Sequence, residues 1–439
     1  MRAPGLVRLR ATTAQACGLY PCLAPGRQAG ASACLGIGVL GSGPFVADPF
    51  DAYAAGTLSN PNVLVVGQPG AGKSAAVKTM VHRLVGWRRR GQARRWVAIC
   101  DPKGEYSGLA DALGLPVVAM RPGGGVRLNP LDPGPGAPEL VASRRMVLLA
   151  ALLSTVLRRD LNPLEDAAVG WAVDFLAADP TAELGDVARL LSEPPAIMAE
   201  RAGRSPAELA REVEPLRLAL GKLLDRDLRG MFDGRSTVRL DPDGPGLVVD
   251  LSAVHHDPAA LALVMVAATA WVQARLAIRD GTQRLQVVDE AWALLATSAS
   301  VRHLQASWKL CRDYGVANIA VVHRISDLRS QSDDGTALAK VAAGLLADTE
   351  TRVLFRQAPD QVAETRTLLD LTDRQAALLP NLARGRALWR WGEHAEVVQH
   401  VVAPSEWKFA DSDGALLGRN AVFCDDFGHS AKFEWERPS

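Results

Sequence analysis

Residues 67–74 read Gly-Gln-Pro-Gly-Ala-Gly-Lys-Ser, the spacing G-x-x-x-x-G-K-[ST]. That spacing suits a phosphate cradle. Glycines let the backbone approach phosphate oxygens without a Cβ in the way. The loop's N–H groups and the helix N-terminus behind it present partial positive charge to the anion. The candidate nucleotide-binding residues are Gly67, Gln68, Pro69, Gly70, Ala71, Gly72, Lys73, Ser74 and Ala75. Lys73 is expected to reach the β- and γ-phosphates and Ser74 to ligate Mg²⁺, so ATP and Mg²⁺ are the expected ligands.

A second constellation lies more than two hundred residues on. The apolar run before Asp289-Glu290 reads as a strand ending in two acids, the Walker B arrangement. Asp289 is expected to hold Mg²⁺ and Glu290 to polarise the attacking water. Between the two, residues 96–100 form an apolar run ending in Asp101-Pro102-Lys103-Gly104-Glu105-Tyr106. Open α/β sheets place ligand chemistry at the carboxyl ends of their strands, so Asp101 and Glu105 are expected beside the phosphates. A later strand, 318–322, ends in His323-Arg324, and His323 at that tip is a candidate γ-phosphate sensor. Arg312, with Arg324 as the alternative, is a candidate arginine finger acting across a subunit boundary.

The elements that must position these groups are legible around them. Residues 62–66 before the glycine-rich loop are a short apolar, β-branched run, and 75–81 suit a helix. Further strands are expected near 116–120, 247–251, 284–288 and 351–356, with helices at about 258–279, 298–313, 359–369 and 372–379. Residues 385–391 and 395–402 read as a hairpin turning at Gly392-Glu393. Apolar residues recur at helical spacing between 138 and 234, and Ser205-Pro206-Ala207-Glu208 is a helix start. The fold class expected is α/β, with a mainly parallel central sheet in 43–137 and 235–403, an all-α insertion at 138–234, and a C-terminal β-hairpin. Residues 1–42 read as a poorly ordered lead and 404–439 as a tail.

Whole-chain composition narrows the function. The 439 residues carry 49 basic and 48 acidic side chains, a formal net charge of +1, which argues against a polyanion-coating protein. The run at 87–95 holds five arginines and reads as a solvated loop, with nucleic-acid contact as the alternative. Six cysteines show no C-x-x-C spacing, and His255-His256 has no further ligand at metal spacing, so a zinc site is not expected. The cysteine usage reads as cytosolic. No stretch reads as a membrane span: the apolar run 146–157 is short and flanked by arginines.

Taken in order, the phosphate loop, the D-P-K-G-E-Y strand end, the helical insertion, V-V-D-E-A-W at 287–292 and the polar-tipped strand resemble the FtsK–HerA superfamily of P-loop motors. The resemblance spans about residues 43–405 and is strongest to the conjugation and type IV secretion ATPases. It implies a RecA-like P-loop NTPase acting as a ring, a hexamer in that family, with ATP bound between subunits. Two branches compete. D-E-A-W and the lack of membrane helices favour the cytosolic assembly ATPases, with channel components as partners and peripheral docking at the cytoplasmic face of the membrane. The other is a DNA-moving coupling protein, with DNA as partner. A nucleotide-binding assembly factor with little turnover is a third reading. Two departures stand out: His323 occupies a place where the assembly branch usually has Gln, and the large N-terminal domain of that branch has almost no counterpart here.

Overall fold

The computed structural model describes residues 32–41, 43–86, 95–133, 137–238, 241, 243–295, 304–305, 308–309, 311–324, 349–392 and 394–411. The elements before the insertion are β1 (Cys34–Gly38), β2 (Pro44–Val46), α1 (Pro49–Ala54), β3 (Val63–Val66), α2 (Lys73–Gly86), β4 (Trp96–Asp101), α3 (Ser107–Leu113) and β5 (Val117–Ala119). The insertion contributes α4 (Pro138–Leu157), α5 (Pro163–Phe175), α6 (Leu184–Ser192), α7 (Ala196–Ala202), α8 (Pro206–Glu212) and α9 (Glu214–Leu224). After it come β6 (Gly246–Asp250), α10 (Pro258–Leu276), β7 (Arg284–Val288), α11 (Cys311–Tyr314), β8 (Val316–Val322) and β9 (Thr351–Phe355). The chain then adds α12 (Pro359–Leu369), α13 (Asp373–Leu378), β10 (Arg386–Trp391), β11 (His394–His400) and α14 (Trp407–Ala410).

Among the described residues, eleven strands form one sheet in the order β2-β1-β11-β10-β9-β3-β8-β7-β4-β6-β5. From β9 to β5 every pairing is parallel. From β2 to β9 every pairing is antiparallel. The parallel strands are covered on both faces, so they read as unbroken apolar runs rather than alternating ones. Alternation reappears in which layer each side chain enters. Val63, Val65, Val97, Ile99, Val287 and Ile319 face a core shared with α2 and α3. Leu64, Val66, Ala98, Val288, Ala320 and Leu354 face the other core, shared with α10 and the insertion.

That second core joins the insertion to the layer behind the sheet. Helix α4 packs on α10, the buried helix behind the sheet. Arg145 of α4 is buried and donates to three carbonyls, of Leu131 (2.9 Å), Leu176 (2.7 Å) and Asp179 (3.1 Å). The Trp271 indole donates to Asp132 Oδ2 at 3.1 Å and Ser236 Oγ at 3.2 Å, tying both ends of the insertion to α10. Ser205 caps α8 in a reciprocal box with Glu208, with Pro206 at the first helical position.

Three expectations need correction. Residues 34–38 belong to the sheet: β1 pairs with β11, with Ile37 opposite Gln399, so part of the stretch read as a lead is a strand. Residues 404–411 are also ordered. Glu406 accepts from Arg83 of α2, whose guanidinium also caps the carbonyls of Cys34 and Val401, each at 2.7 Å. Phe409 and Ala410 are buried against α2 and α3. Finally, α4 is a continuous 20-residue helix apolar enough to cross a membrane by length and composition. Here Val141, Leu148, Leu149, Leu152 and Leu153 are buried in the protein core. The run 87–94, the linker residues 134–136, Glu393 and most of the helix expected at 298–313 lie outside the described residues.

Candidate nucleotide site

Five adjacent parallel strands, β9-β3-β8-β7-β4, bring their carboxyl ends to one edge. Strand β3 runs into the glycine-rich loop, β4 into Asp101–Tyr106, β7 into Asp289-Glu290, β8 into His323, and β9 into Arg356. Residues scattered from 67 to 356 therefore converge because parallel strands all point the same way.

The loop is shaped by contacts that only glycine permits. A Cβ on Gly67 would lie 2.5 Å from the Phe355 Cβ. Gly72, at φ 102°, has a Cβ position only 3.0 Å from the Gly385 nitrogen, and Gly385 N–H donates to the Ala71 carbonyl at 2.9 Å. Helix α2 starts at Lys73, so its N-terminus lies at the loop, with Ser74 and Ala75 half-buried in its first turn. Lys73 is buried. Its ammonium donates to the carbonyls of Gly67 (2.5 Å) and Gln68 (3.1 Å) and lies 3.0 Å from His323 Nδ1. Burial lowers its pKa to about 8, against the opposing pull of Asp289 and Glu290.

Asp289 and Glu290 are nearly inaccessible. Burial, helped by the charge of Glu290, pushes Asp289 up to about 6. The Tyr106 hydroxyl lies 3.3 Å from Asp289 Oδ2 and donates to it. Glu290 sits at φ 50°, in the left-handed region that a non-glycine residue enters only at a cost. Burial acts to raise its pKa, but hydrogen bonds from His323 and Lys103 outweigh it and hold the carboxyl at about 2. Oε1 is 2.7 Å from His323 Nε2 and pairs with the Lys103 ammonium, while Oε2 accepts from the Trp292 indole.

Asp101 is placed at this edge, but its carboxylate is occupied by its own turn. It accepts the backbone N–H groups of Lys103 (3.2 Å), Glu105 (3.1 Å) and Tyr106 (2.8 Å). Glu105 lies beside the buried Lys78, at 3.8 Å, and its Oε2 is buried without a hydrogen-bond partner. That oxygen is held by charge, facing the Lys78 ammonium, so Glu105 is engaged within the site's edge. The half-buried Ser74, the two Walker B acids and the loop thus fit Mg²⁺ and a nucleotide's phosphates.

Arg312 stands elsewhere. It is exposed on α11, which leads into the amino end of β8, and the site is at the carboxyl end. Arg324, also exposed, directly follows His323 on the site's edge. Sequence reasoning gave no role to Lys103, Trp292, Tyr106 or Arg356. Arg356 follows β9, the strand beside β3. Its carbonyl accepts from Gln68 N–H at 2.9 Å, and with the Gln68 amide turned so that its oxygen faces Arg356, the orientation that satisfies both groups, the guanidinium donates to it at 2.7 and 3.1 Å. Its position one residue past a strand next to β3 was the available signal.

These features define a P-loop nucleoside-triphosphatase fold of the RecA-like kind. Among solved structures, the chain is similar to VirB4 of Thermoanaerobacter pseudethanolicus, with TM-score 0.69 and 21% identity over 86% of this chain and 98% of that one. It is also similar to the bacterial conjugative coupling protein TrwBΔN70 in complex with sulphate, with TM-score 0.58 and 14% identity over 88% of this chain and 90% of that one. TrwB in complex with the non-hydrolysable ATP analogue ADPNP aligns with TM-score 0.52 and 14% identity over 78% and 85%. No family model and no curated protein matches the chain. At these identities the likeness is one of fold.

Proposed function

We propose that this protein is an ATP-hydrolysing motor subunit that energises a conjugation or type IV secretion apparatus, working as a ring, a hexamer, on the cytoplasmic side of the membrane. The observation that carries the reading is the meeting of Lys73, Asp289, Glu290 and His323 at one sheet edge, in a fold shared with VirB4 and TrwB. Loop N–H groups and the N-terminus of α2 hold the phosphates. Lys73 moves from the carbonyls of Gly67 and Gln68 to the phosphate oxygens. Ser74 and Asp289 would hold Mg²⁺, which neutralises charge on the β- and γ-oxygens. Glu290, an ionised carboxylate, accepts the proton of the attacking water. His323 bridges Lys73 and Glu290, so it senses whether the γ-phosphate is present.

The test is turnover with Mg²⁺-ATP. Lys73→Ala is expected to abolish it, and Glu290→Gln to bind ATP without hydrolysing it. Retained hydrolysis in Lys73→Ala would overturn the motor reading. A second reading, a DNA-translocating coupling subunit, is supported by the likeness to a conjugative coupling protein over most of the chain. It requires turnover stimulated by DNA, with stimulation that falls steeply as salt rises.

A further inference from the structure

The Lys103 side chain is the feature of this site that the proposed chemistry leaves without a task. It enters from the turn between β4 and α3, a turn locked by the Asp101 carboxylate on the N–H groups of residues 103, 105 and 106. Its ammonium pairs with Glu290 Oε1 and lies 3.4 Å from His323 Nε2. Lys73 approaches the other nitrogen of the same imidazole at 3.0 Å. Two ammonium groups thus stand one imidazole apart, at the end of a phosphate-binding loop. Their partners are weak stand-ins for a phosphate: carbonyl oxygens for Lys73, and the Glu290 carboxylate for Lys103. The Glu290 side chain is 3% exposed and that of Lys103 is 29% exposed, so Lys103 closes the open side of the acid.

We propose that Lys103 is a ligand of the terminal phosphate that, without nucleotide, latches Glu290. The inference rests on the reading of this site as an ATPase with Glu290 as its base. With the latch closed, Oε1 is held by the Lys103 ammonium and the His323 imidazole and Oε2 by the Trp292 indole, so most of the carboxylate's acceptor capacity is taken up by the protein. A γ-phosphate held by Lys73 offers Lys103 a more highly charged partner within one imidazole's width of its ammonium. Lys103 then exchanges the carboxylate for phosphate oxygens, and Glu290 is released. A nucleoside diphosphate lacks that partner and leaves the latch closed. Binding of the third phosphate and freeing of the base become one event.

The experiment is a binding cycle in Mg²⁺ buffer with ADP and ADPNP, read by titration calorimetry on the full chain. The variants are Lys103→Met, Glu290→Gln, the double substitution, and Lys103→Arg, with thermal melting to show that each is folded. Loss of one charge-assisted contact to phosphate predicts roughly tenfold weaker ADPNP binding in Lys103→Met, with ADP affinity unchanged. Glu290→Gln removes the competitor for Lys103, so it tightens ADPNP about fivefold when Lys103 is present and not in the double variant. Lys103→Arg keeps the preference for ADPNP over ADP. Equal loss of ADP and ADPNP in Lys103→Met, or an effect of Glu290→Gln that persists without Lys103, overturns the latch. So does a Lys103→Met protein that binds both as the unaltered chain does. Hydrolysis by Glu290→Gln would instead remove the base reading, a turnover result that the binding cycle does not depend on.

Discussion

Asp101 shows how a carboxylate beside a phosphate site can act through shape. Three backbone donors converge on it, and it is 1% exposed. Replacing it with Ala leaves those donors without their acceptor and frees the turn that carries Lys103 and Glu105. The expected cost is about 2–4 kcal/mol of stability, read from the urea midpoint. ATP turnover is expected to fall with it, while Asp101→Asn, which keeps a carbonyl acceptor, loses less of both. Unchanged stability in Asp101→Ala would show that the turn holds itself. The same residues mark how far the site was legible. Gly67 to Ser74 and Asp289-Glu290 are local patterns, and each carries its chemistry in adjacent residues. The Lys103–Glu290–His323 cluster is assembled across β4, β7 and β8, and no spacing within one segment encodes it. His323 stands out by its strand tip, whereas Lys103 sits between Asp101 and Glu105, the two residues of the β4 strand end that the sequence assigns to the site.

The same division holds for elements. The central strands were legible because burial on both faces favours apolar runs rich in Val and Ile, as in Val63–Val66 and Val316–Val322. Strand β1 was not, since Cys-Leu-Gly-Ile-Gly has weak strand character and gains its place by pairing with β11 at the far end of the chain. Helix α14 is only four residues long and is held by Phe409 and by Glu406 on Arg83, contacts that no periodicity reveals. Burying a Phe contributes roughly 1.5–3 kcal/mol. Truncation after Ala403 is therefore expected to lower the melting temperature clearly more than truncation after Asp411; equal melting would mean that 404–411 adds nothing. The C-terminal hairpin also carries a pH dependence. His400 accepts from the Trp389 indole at 2.8 Å and packs on Phe355, and burial, with Arg83 nearby, lowers its pKa from 6.5 to about 3. The unfolded chain binds this proton and the folded chain does not, so stability is complete above about pH 6.5 and is lost as pH falls toward 3. His400→Gln keeps an acceptor for Trp389 but cannot titrate. Its melting temperature should fall less steeply than that of the unaltered protein between pH 6.5 and 4.5, and parallel slopes would assign the effect to other groups.

At the scale of the whole molecule, the proposed ring raises the question of which arginine completes the site and from which subunit. Strand β8 spans seven residues, about 23 Å at the usual strand rise. That length separates Arg312, at its amino end, from His323 beyond its carboxyl end. Arg312 therefore does not reach its own phosphates, and any role it has in hydrolysis is played in a neighbour's site. Arg356 is the opposite case, since it touches Gln68 of its own loop. Mixing inactive subunits separates the two. If both Lys73→Ala and Arg312→Ala are inactive alone, a ring formed from the two contains some sites with an intact loop from one subunit and an intact Arg312 from the next. Measurable ATP turnover is then expected to return on mixing. Lys73→Ala mixed with Arg356→Ala should stay inactive, because an intact loop and an intact Arg356 would be needed in one chain and neither subunit has both. Turnover retained by Arg312→Ala alone would remove it as the finger. Rescue of the Arg356 mixture would mean that Arg356 reaches across the boundary, and that its contact with Gln68 is given up when the ring forms.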